Sequence, residues 1–234
     1  MTLDDKVLIY PGHGEGSSCG KNLSSETVGT LGDQKKTNYA LRHDMTRSEF
    51  IGEVLDELGK PPKYFSLNVS MNKNGYNDSK EVLEKNLNPL DPNKFEELIS
   101  KRNAIVLDVR HQDDFAKAHI PNSIFIGLDG RFAPWVGEIL EDIKTPLLLV
   151  VPNGREKEVI TRLARVGFDH TIGYLKGGIE NWKSQDKVIS SIDSSEASVI
   201  KDLENKSNNS ILDVRSENEH QNESISGSLN IPLK

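Results

Sequence analysis

The chain has 234 residues, a formal net charge of −7, a pI near 5.4 and a single cysteine. This acidity argues against a nucleic-acid or anionic-membrane partner, and one thiol excludes both an internal disulfide and a zinc cluster of cysteines. The longest strongly apolar run, residues 146–151, is too short to span a bilayer, and the N-terminus lacks a secretory signal pattern. These features predict a protein of a reducing compartment, the cytoplasm.

The N-terminal segment, residues 1–87, predicts the end of a domain followed by a linker. Lys6–Tyr10 reads as a strand, and Glu26–Arg42 predicts one or two helices. Thr46–Leu58 predicts a helix because its apolar residues form one stripe, whereas residues 63–80, rich in Asn and Lys, predict irregular structure. One strand and a few helices cannot enclose a core of their own.

Residues 88–186 predict a complete α/β domain in which strands and helices alternate. Short apolar runs predict buried strands, and apolar residues spaced three or four apart predict helices. This alternation predicts a mainly parallel central sheet covered by helices on both faces. The predicted strands are Ala104–Val109, Ser123–Ile126, Leu147–Val151 and Thr171–Leu175, and the predicted helices are Lys94–Ser100, Asp113–Lys117, Trp135–Ile143, Glu156–Val166 and Ile179–Lys183.

An internal repeat relates residues 106–128 to residues 211–233 at a shift of 105 positions without a gap. A shift of about one domain length indicates duplicated domains rather than a solenoid. Residues 187–234 therefore predict an incomplete second domain of the same kind. The matched positions are Leu107–Arg110 with Leu212–Arg215, Ile120 with Ile225, Ser123 with Ser228, Ile126 with Ile231, and Leu128 with Leu233.

Several motifs in one specific order make residues 88–186 resemble a rhodanese domain. They are Leu107-Asp-Val-Arg110, Asp114-Phe115, His119-Ile-Pro121, a Gly-Arg loop after a strand, Arg165-Val-Gly-Phe168 and Leu175-Lys-Gly-Gly-Ile-Glu-Asn-Trp182. Residues 187–234 resemble the start of another rhodanese domain.

Residues 1–76 resemble the C-terminal end of an αββα metallo-β-lactamase-type domain. The motifs are Tyr10-Pro-Gly-His-Gly14, Gly16-Ser-Ser-Cys-Gly-Lys21, Thr30-Leu-Gly-Asp-Gln-Lys35 and Asn68-Val-Ser-Met-Asn-Lys73. The combination resembles bacterial fusions of a persulfide dioxygenase with one or two rhodanese domains, and the early position of the first motif indicates a fragment.

This resemblance implies an enzyme of sulfur metabolism that oxidises a low-molecular-weight thiol persulfide to sulfite at a mononuclear iron centre, joined to sulfur-transfer modules. The main iron ligands of such enzymes lie in an upstream motif that this sequence does not contain. We therefore expect the chain alone to hold no iron and to be inactive. We also expect a homo-oligomer, because incomplete cores expose apolar surface.

The loop from Val151 to Glu156 is where the resemblance places the rhodanese nucleophile. Aligning Gly154 with the loop glycine of the family puts Val151 at the position of the cysteine. Sulfur transfer needs a thiolate, which valine lacks; Pro152 also removes one N–H from the anion cradle, and Glu156 adds negative charge there. We expect this domain to be inactive. Arg155 is a candidate for anion binding, with a solvated surface arginine as the favoured interpretation.

His13 and Cys19 are the candidate site residues of the N-terminal segment. The resemblance places His13 beside the metal centre, either as a ligand or as a group bonded to a ligand. A structural histidine is the alternative. Cys19 lies in a Gly/Ser-rich loop near Lys21, which favours a thiolate. The resemblance implies that Cys19 carries persulfide sulfur, and an inert loop cysteine is the equal alternative.

Four further residues receive structural interpretations. Asp108 and Arg110 are expected to brace the turn that follows a strand, His119 to be hydrogen-bonded, and Trp182 to pack in the core. Three functions stay open for the parent protein: a persulfide dioxygenase–sulfurtransferase fusion, a two-metal hydrolase of glutathione thioesters with His13 as a ligand, and a non-catalytic binding or spacer module.

Overall fold

The computed structural model describes residues 3–12, 27–42, 44–55, 65–140, 142–196 and 210–233. The chain divides into two compact units, Met1–Lys60 and Pro61–Lys234. In the first unit, strands β1 (Leu8–Ile9) and β2 (Gly29–Thr30) pair antiparallel, followed by α1 (Leu31–Thr37), a 3-10 turn (Tyr39–Leu41) and α2 (Arg47–Leu55). The predicted strand and helices of this unit are thus confirmed within the described residues.

The second unit contains a five-stranded parallel sheet in the order β3-β7-β6-β4-β5. Helices follow the strands in alternation, as the sequence predicts. The strands are β3 (Pro89–Leu90), β4 (Ile105–Asp108), β5 (Ile124–Phe125), β6 (Leu147–Val150) and β7 (Thr171–Leu175); the helices are α5 (Pro92–Arg102), α6 (Gln112–Lys117), α7 (Phe132–Ile139), α8 (Glu156–Ala164) and α9 (Gly178–Lys183).

Both faces of this sheet are buried, because successive side chains of a strand point to opposite faces. Leu148 and Val150 of β6 pack on one face in a cluster with Phe95 and Trp182 of α5 and α9. The alternating residues of β6 belong to a second cluster with α7 and α8; this cluster contains Leu147, Leu149, Val136, Val159, Ile160 and Leu163. The parallel sheet with helices on both faces is therefore present as predicted.

Helix α7 is shifted toward the N-terminus relative to the predicted helix Trp135–Ile143. It begins at Phe132, whose side chain is fully buried, and Pro134 is tolerated in the first turn. It ends after Ile139, where the Leu140 N–H donates to the Val136 carbonyl. The prediction counted apolar spacing alone and therefore missed the proline-containing first turn.

Irregular structure was the wrong prediction for most of residues 63–80. Helix α3 (Phe65–Asn74) is followed by α4 (Ser79–Asn86), which begins at the capping residue Asp78. Helix α3 stops at Gly75, which has a left-handed φ of 92° and donates its N–H to the Met71 carbonyl. Its Ser and Asn residues have low helix propensity, and packing decides instead: α3, α4 and α8 line one cavity.

The second repeat has the same local structure as the first. Strands β8 (Leu212–Asp213) and β9 (Leu229–Asn230) pair in parallel around helix α10 (Glu217–Asn222). Leu212 pairs with Leu229 in the register in which Leu107 pairs with Ile124, which is the same pairing shifted by 105 residues. The predicted internal repeat is confirmed at the level of strand register.

Candidate functional site

The loop in which the resemblance places the rhodanese nucleophile follows strand β6. The strand is fully buried between β4 and β7, and residues 151–155 connect its carboxyl end to helix α8. Ligands of open α/β sheets bind at this edge, so the loop lies where the resemblance expects a catalytic group. Val151, however, is 6% exposed and packs in the cluster formed with α7 and α8. This position holds a core side chain rather than a presented nucleophile.

Two backbone N–H groups of this loop bond within the protein itself. Gly154 adopts a φ of 83°, which favours glycine, and donates its N–H to Glu156 Oε1 over 3.1 Å. Arg155 donates its N–H to the Pro152 carbonyl over 3.1 Å, and Pro152 has no N–H to offer. The carboxylate of Glu156 therefore occupies a donor that an active loop would direct at a sulfur anion.

Arg155 is held by two carboxylates rather than standing free in solvent. Its Nη2 lies 2.9 Å from Asp129 Oδ1, and its Nε lies 2.8 Å from Glu158 Oε2. The guanidinium lowers the pKa of both Asp129 and Glu158, while Glu158 first and Asp129 second raise the pKa of Arg155. The predicted anion-binding residue is thus already paired with anions of the chain.

Asp108 and Arg110 form a buried ion pair at the carboxyl end of β4. Arg110 Nε donates to Asp108 Oδ1 over 2.9 Å, and its Nη2 lies 2.6 Å from Asp108 Oδ2. The same Nη2 donates to the Ala118 carbonyl over 2.7 Å, which ties the strand end to the residue after α6. The bracing role predicted for these two residues is confirmed.

His119 and Trp182 also have the structural roles predicted from sequence. His119 Nδ1 lies 2.9 Å from the Phe115 carbonyl, and the imidazole stacks on the Phe115 ring with centroids 4.0 Å apart. Trp182 packs edge-on against Phe95 and donates its Nε1–H to the Val188 carbonyl over 2.9 Å. Hydrogen bonds and packing account for both side chains.

The remaining predicted site residues, His13 and Cys19, lie outside the described residues. Among the residues that the structure does describe, no group of three His, Cys, Asp or Glu side chains could hold a metal ion. No helix in that part of the chain is both long and apolar enough to cross a bilayer. The structure brings together Val151, Gly154 and Arg155 as predicted neighbours in one loop.

Sequence reasoning missed Asp129 and Glu158 as partners of Arg155. Glu158 follows Arg155 at a spacing of three, a spacing that brings helical side chains together, so a signal for this pair existed. Asp129 lies in a different loop, and its distance to Arg155 depends on how the two loops pack in the folded domain. No sequence pattern pointed to it.

The pKa of a thiol placed at position 151 should depend on the negative charge of Glu156. In a Cys19→Ser background, Val151→Cys supplies a single thiol, whose pKa we expect the Glu156 carboxylate to raise. Adding Glu156→Gln should lower that pKa by about one unit and speed alkylation by iodoacetamide at pH 7 about tenfold. The measurement is the alkylation rate against pH. Glu180→Gln, which breaks an exposed ion pair on α9, is the matched control, and equal rates in all three proteins would show that Glu156 does not suppress the thiolate.

Comparisons with known proteins agree with this geometry. Residues 91–185 match the family model described as Rhodanese-like domain. The uncharacterized protein YibN of Escherichia coli K12 is 34% identical over 89 residues; the match spans 38% of this chain and 62% of that relative. The solved metallo-beta-lactamase of Staphylococcus aureus COL is 26% identical with a TM-score of 0.57, covering 75% of this chain and 46% of that one. The thiosulfate sulfurtransferase of Pseudomonas aeruginosa is 16% identical with a TM-score of 0.37, covering 73% and 37%.

The family model and the staphylococcal neighbour confirm the predicted fold class. Residues 91–185 form a rhodanese-like domain with a central parallel sheet flanked by helices. The similarity to the staphylococcal metallo-beta-lactamase supports a metallo-β-lactamase-type part before it in the chain. The chain spans less than two thirds of the curated relatives that it matches and about half of that neighbour.

Proposed function

We propose, starting from this rhodanese-like domain, that the chain is part of a sulfur-metabolism enzyme in which residues 88–186 form a module that does not itself transfer sulfur. One observation carries the proposal: a buried valine, Val151, stands where a rhodanese requires a thiolate, and the Glu156 carboxylate takes up the Gly154 N–H. The domain keeps the rhodanese scaffold without its nucleophile, and the Gly154 N–H of its loop is bonded to a carboxylate of the chain.

The parent enzyme that we propose is a fusion of a persulfide dioxygenase with sulfurtransferase modules. The metallo-beta-lactamase neighbour and the Pro-Gly-His-Gly motif ending at Gly14 support this proposal. Its substrate would be a low-molecular-weight thiol persulfide and its location the cytoplasm, with Cys19 as a carrier of persulfide sulfur and His13 beside the iron. The described residues do not fit an iron site, so no step through iron is derived for this chain.

The test uses the full-length protein supplied with glutathione persulfide and oxygen. We expect about one iron per chain, with oxygen consumption matched by sulfite release. The competing hydrolase, which has the same fold, would instead bind two zinc ions, release no sulfite and hydrolyse a glutathione thioester. Sulfite release that persists after removal of the metal would contradict both metal-dependent functions.

A second candidate role is a non-catalytic binding or spacer module. The loop of residues 151–155 favours this role, because it presents no nucleophile. Deleting residues 88–186 from the full-length protein should then change its assembly state, as measured by sedimentation velocity. Unchanged assembly combined with lost turnover would argue against a spacer.

Self-association of this chain is a further expectation, and it rests on the second repeat. Leu212 and Ile231 are 54% and 53% exposed, whereas the matched Leu107 and Ile126 of the first repeat are buried. Replacing Leu212 and Ile231 together by Ser should shift sedimentation velocity profiles toward the monomer, because exposed apolar surface drives association. Val188→Ser with Ile192→Ser, two other exposed apolar positions, is the control. A monomeric parent chain would contradict this expectation.

A further inference from the structure

A cavity of about 400 Å³ opens beside the loop of residues 151–155, at the carboxyl ends of β4 and β5 and against helix α7. Its walls include residues that follow both strands, residues of α7 and Leu233 of the second repeat, but neither Val151 nor Gly154 nor Glu156. The volume falls within the range of about 300–1,000 Å³ that is typical of small-molecule sites. This cavity is therefore separate from the position where the nucleophile is missing.

One part of the cavity lining is aromatic and apolar. The rings of Phe125 and Trp135 line it together with the Ile139 side chain. Aromatic rings offer large contact areas with few rotatable bonds, so they bind a planar apolar group at low cost in conformational entropy. The apolar body of a ligand would lie on this part of the lining.

The charges around the cavity leave one cation uncompensated. Arg110 is neutralised by Asp108, and Asp129 is neutralised by Arg155 at 2.9 Å. Arg131, in contrast, is exposed, and its guanidinium group makes no ion pair or hydrogen bond within the described part of the chain. Among the described residues, this guanidinium therefore has no carboxylate partner.

A second donor, His111, also lines the cavity. His111 accepts the Asp113 N–H at Nδ1 as the N-terminal cap of α6, over 3.3 Å. The neutral imidazole then carries its proton on Nε2, and the protonated imidazole carries one there as well, so Nε2–H can donate in either state. Arg131 and His111 together provide donors suited to a carboxylate or sulfonate group.

We propose that this cavity binds a small organic anion with a flat apolar body, whose charged group contacts Arg131 and His111 and whose body lies against Phe125, Trp135 and Ile139. Such binding does not require sulfur transfer by the domain. It gives the module a ligand site although its loop has no nucleophile.

The test is a titration of the ¹⁵N-labelled chain with naphthalene-2-sulfonate, followed by NMR. The chain has two tryptophans, whose indole N–H signals are assigned with Trp135→Phe. We expect the Trp135 signal to shift on binding, while Trp182, buried against Phe95, keeps its position and reports an intact core. Arg131→Gln should weaken binding about tenfold, because it removes one charge-assisted contact. Replacing the probe by neutral 2-methoxynaphthalene should weaken binding at least as much, because it removes the contacts to both Arg131 and His111.

Arg102→Gln on α5, an exposed arginine that does not line the cavity, is the matched control and should leave the dissociation constant unchanged. Shifts confined to residues 210–230 would overturn the proposal, because none of these residues lines the cavity and the probe would then lie on the exposed face of the second repeat. Equal affinities of the parent chain and Arg131→Gln, or of the sulfonate and the neutral probe, would overturn it as well.

Discussion

Arg110→Ala is expected to lower the free energy of unfolding of the rhodanese-like domain by about 3–5 kcal/mol. The substitution leaves the Asp108 carboxylate, which is 0% exposed, without its guanidinium partner. It also removes the donor that the Ala118 carbonyl accepts. A buried charge that loses its partner destabilises a protein more than the intact pair stabilises it, so the loss should be large.

The measurement is urea unfolding followed by tryptophan fluorescence, since Trp135 and Trp182 both belong to this domain. The repeat provides a matched control. Arg215 makes the same contacts to Asp213 and to the Glu223 carbonyl, but its side chain is 47% exposed. Arg215→Ala should therefore leave the urea midpoint of the domain unchanged. A loss below about 1 kcal/mol in Arg110→Ala would place this pair among ordinary surface pairs and contradict its buried bracing role.

Gly173→Ala is expected to destabilise the same domain by about 1–3 kcal/mol through steric overlap. A Cβ atom at this position of β7 would lie 2.4 Å from the Asn88 carbonyl oxygen and 2.9 Å from Leu90 Cδ1. Backbone cannot yield as a flexible side chain can, so strand β3 would have to move away from β7. The pairing of Leu90 with Leu175 would then be strained or lost.

Gly127→Ala is the matched control, measured in the same unfolding experiment. Its Cβ would lie 3.3 Å from the Cζ atom of the Phe125 side chain, which can shift by a few tenths of an ångström. We expect a change smaller than that of Gly173→Ala. Equal destabilisation by the two substitutions would show that the close approach of β3 to β7 is not what requires glycine at 173.

The sequence predicts the centre of the domain well, for reasons visible in single elements. Strand β6 is a run of apolar residues between two turns, and such a run is buried on both faces of a parallel sheet. Strand β3 was not predicted, because it has only two residues and begins with Pro89. Helix α3 was missed because its Ser and Asn residues argue against a helix that packing nevertheless stabilises.

In the candidate site, too, some features could be predicted from the sequence and others could not. The alignment of Gly154 predicts that Val151 stands at the cysteine position, and the positive φ of Gly154 explains why glycine occurs at 154. Negative charge at Glu156 was expected, but its bond to the Gly154 N–H depends on a side-chain rotamer that no sequence pattern specifies. The pairing of Arg155 with Asp129 depends on loop packing and could not be predicted.

A comparison of the two repeats indicates which residues belong to the scaffold. The Asp–Arg pair occurs with matching contacts in both copies. In each copy the arginine also donates to the carbonyl of the residue eight positions later, Ala118 in the first copy and Glu223 in the second. This recurrence makes the pair part of the βαβ architecture rather than of a substrate site. Under the proposed function, catalytic ability would depend instead on the loop after β6, where the resemblance places Val151 at the position of the nucleophile.

The most direct test of a non-catalytic rhodanese-like domain is a thiocyanate assay with thiosulfate and cyanide on the Cys19→Ser chain. The parent sequence has one cysteine, so this variant contains no thiol that could form a persulfide. We expect no thiocyanate above the rate in buffer, since the sulfane sulfur of thiosulfate needs a thiolate to accept it before cyanide can. Thiocyanate formation by Cys19→Ser in proportion to protein concentration would contradict the assignment of an inactive domain.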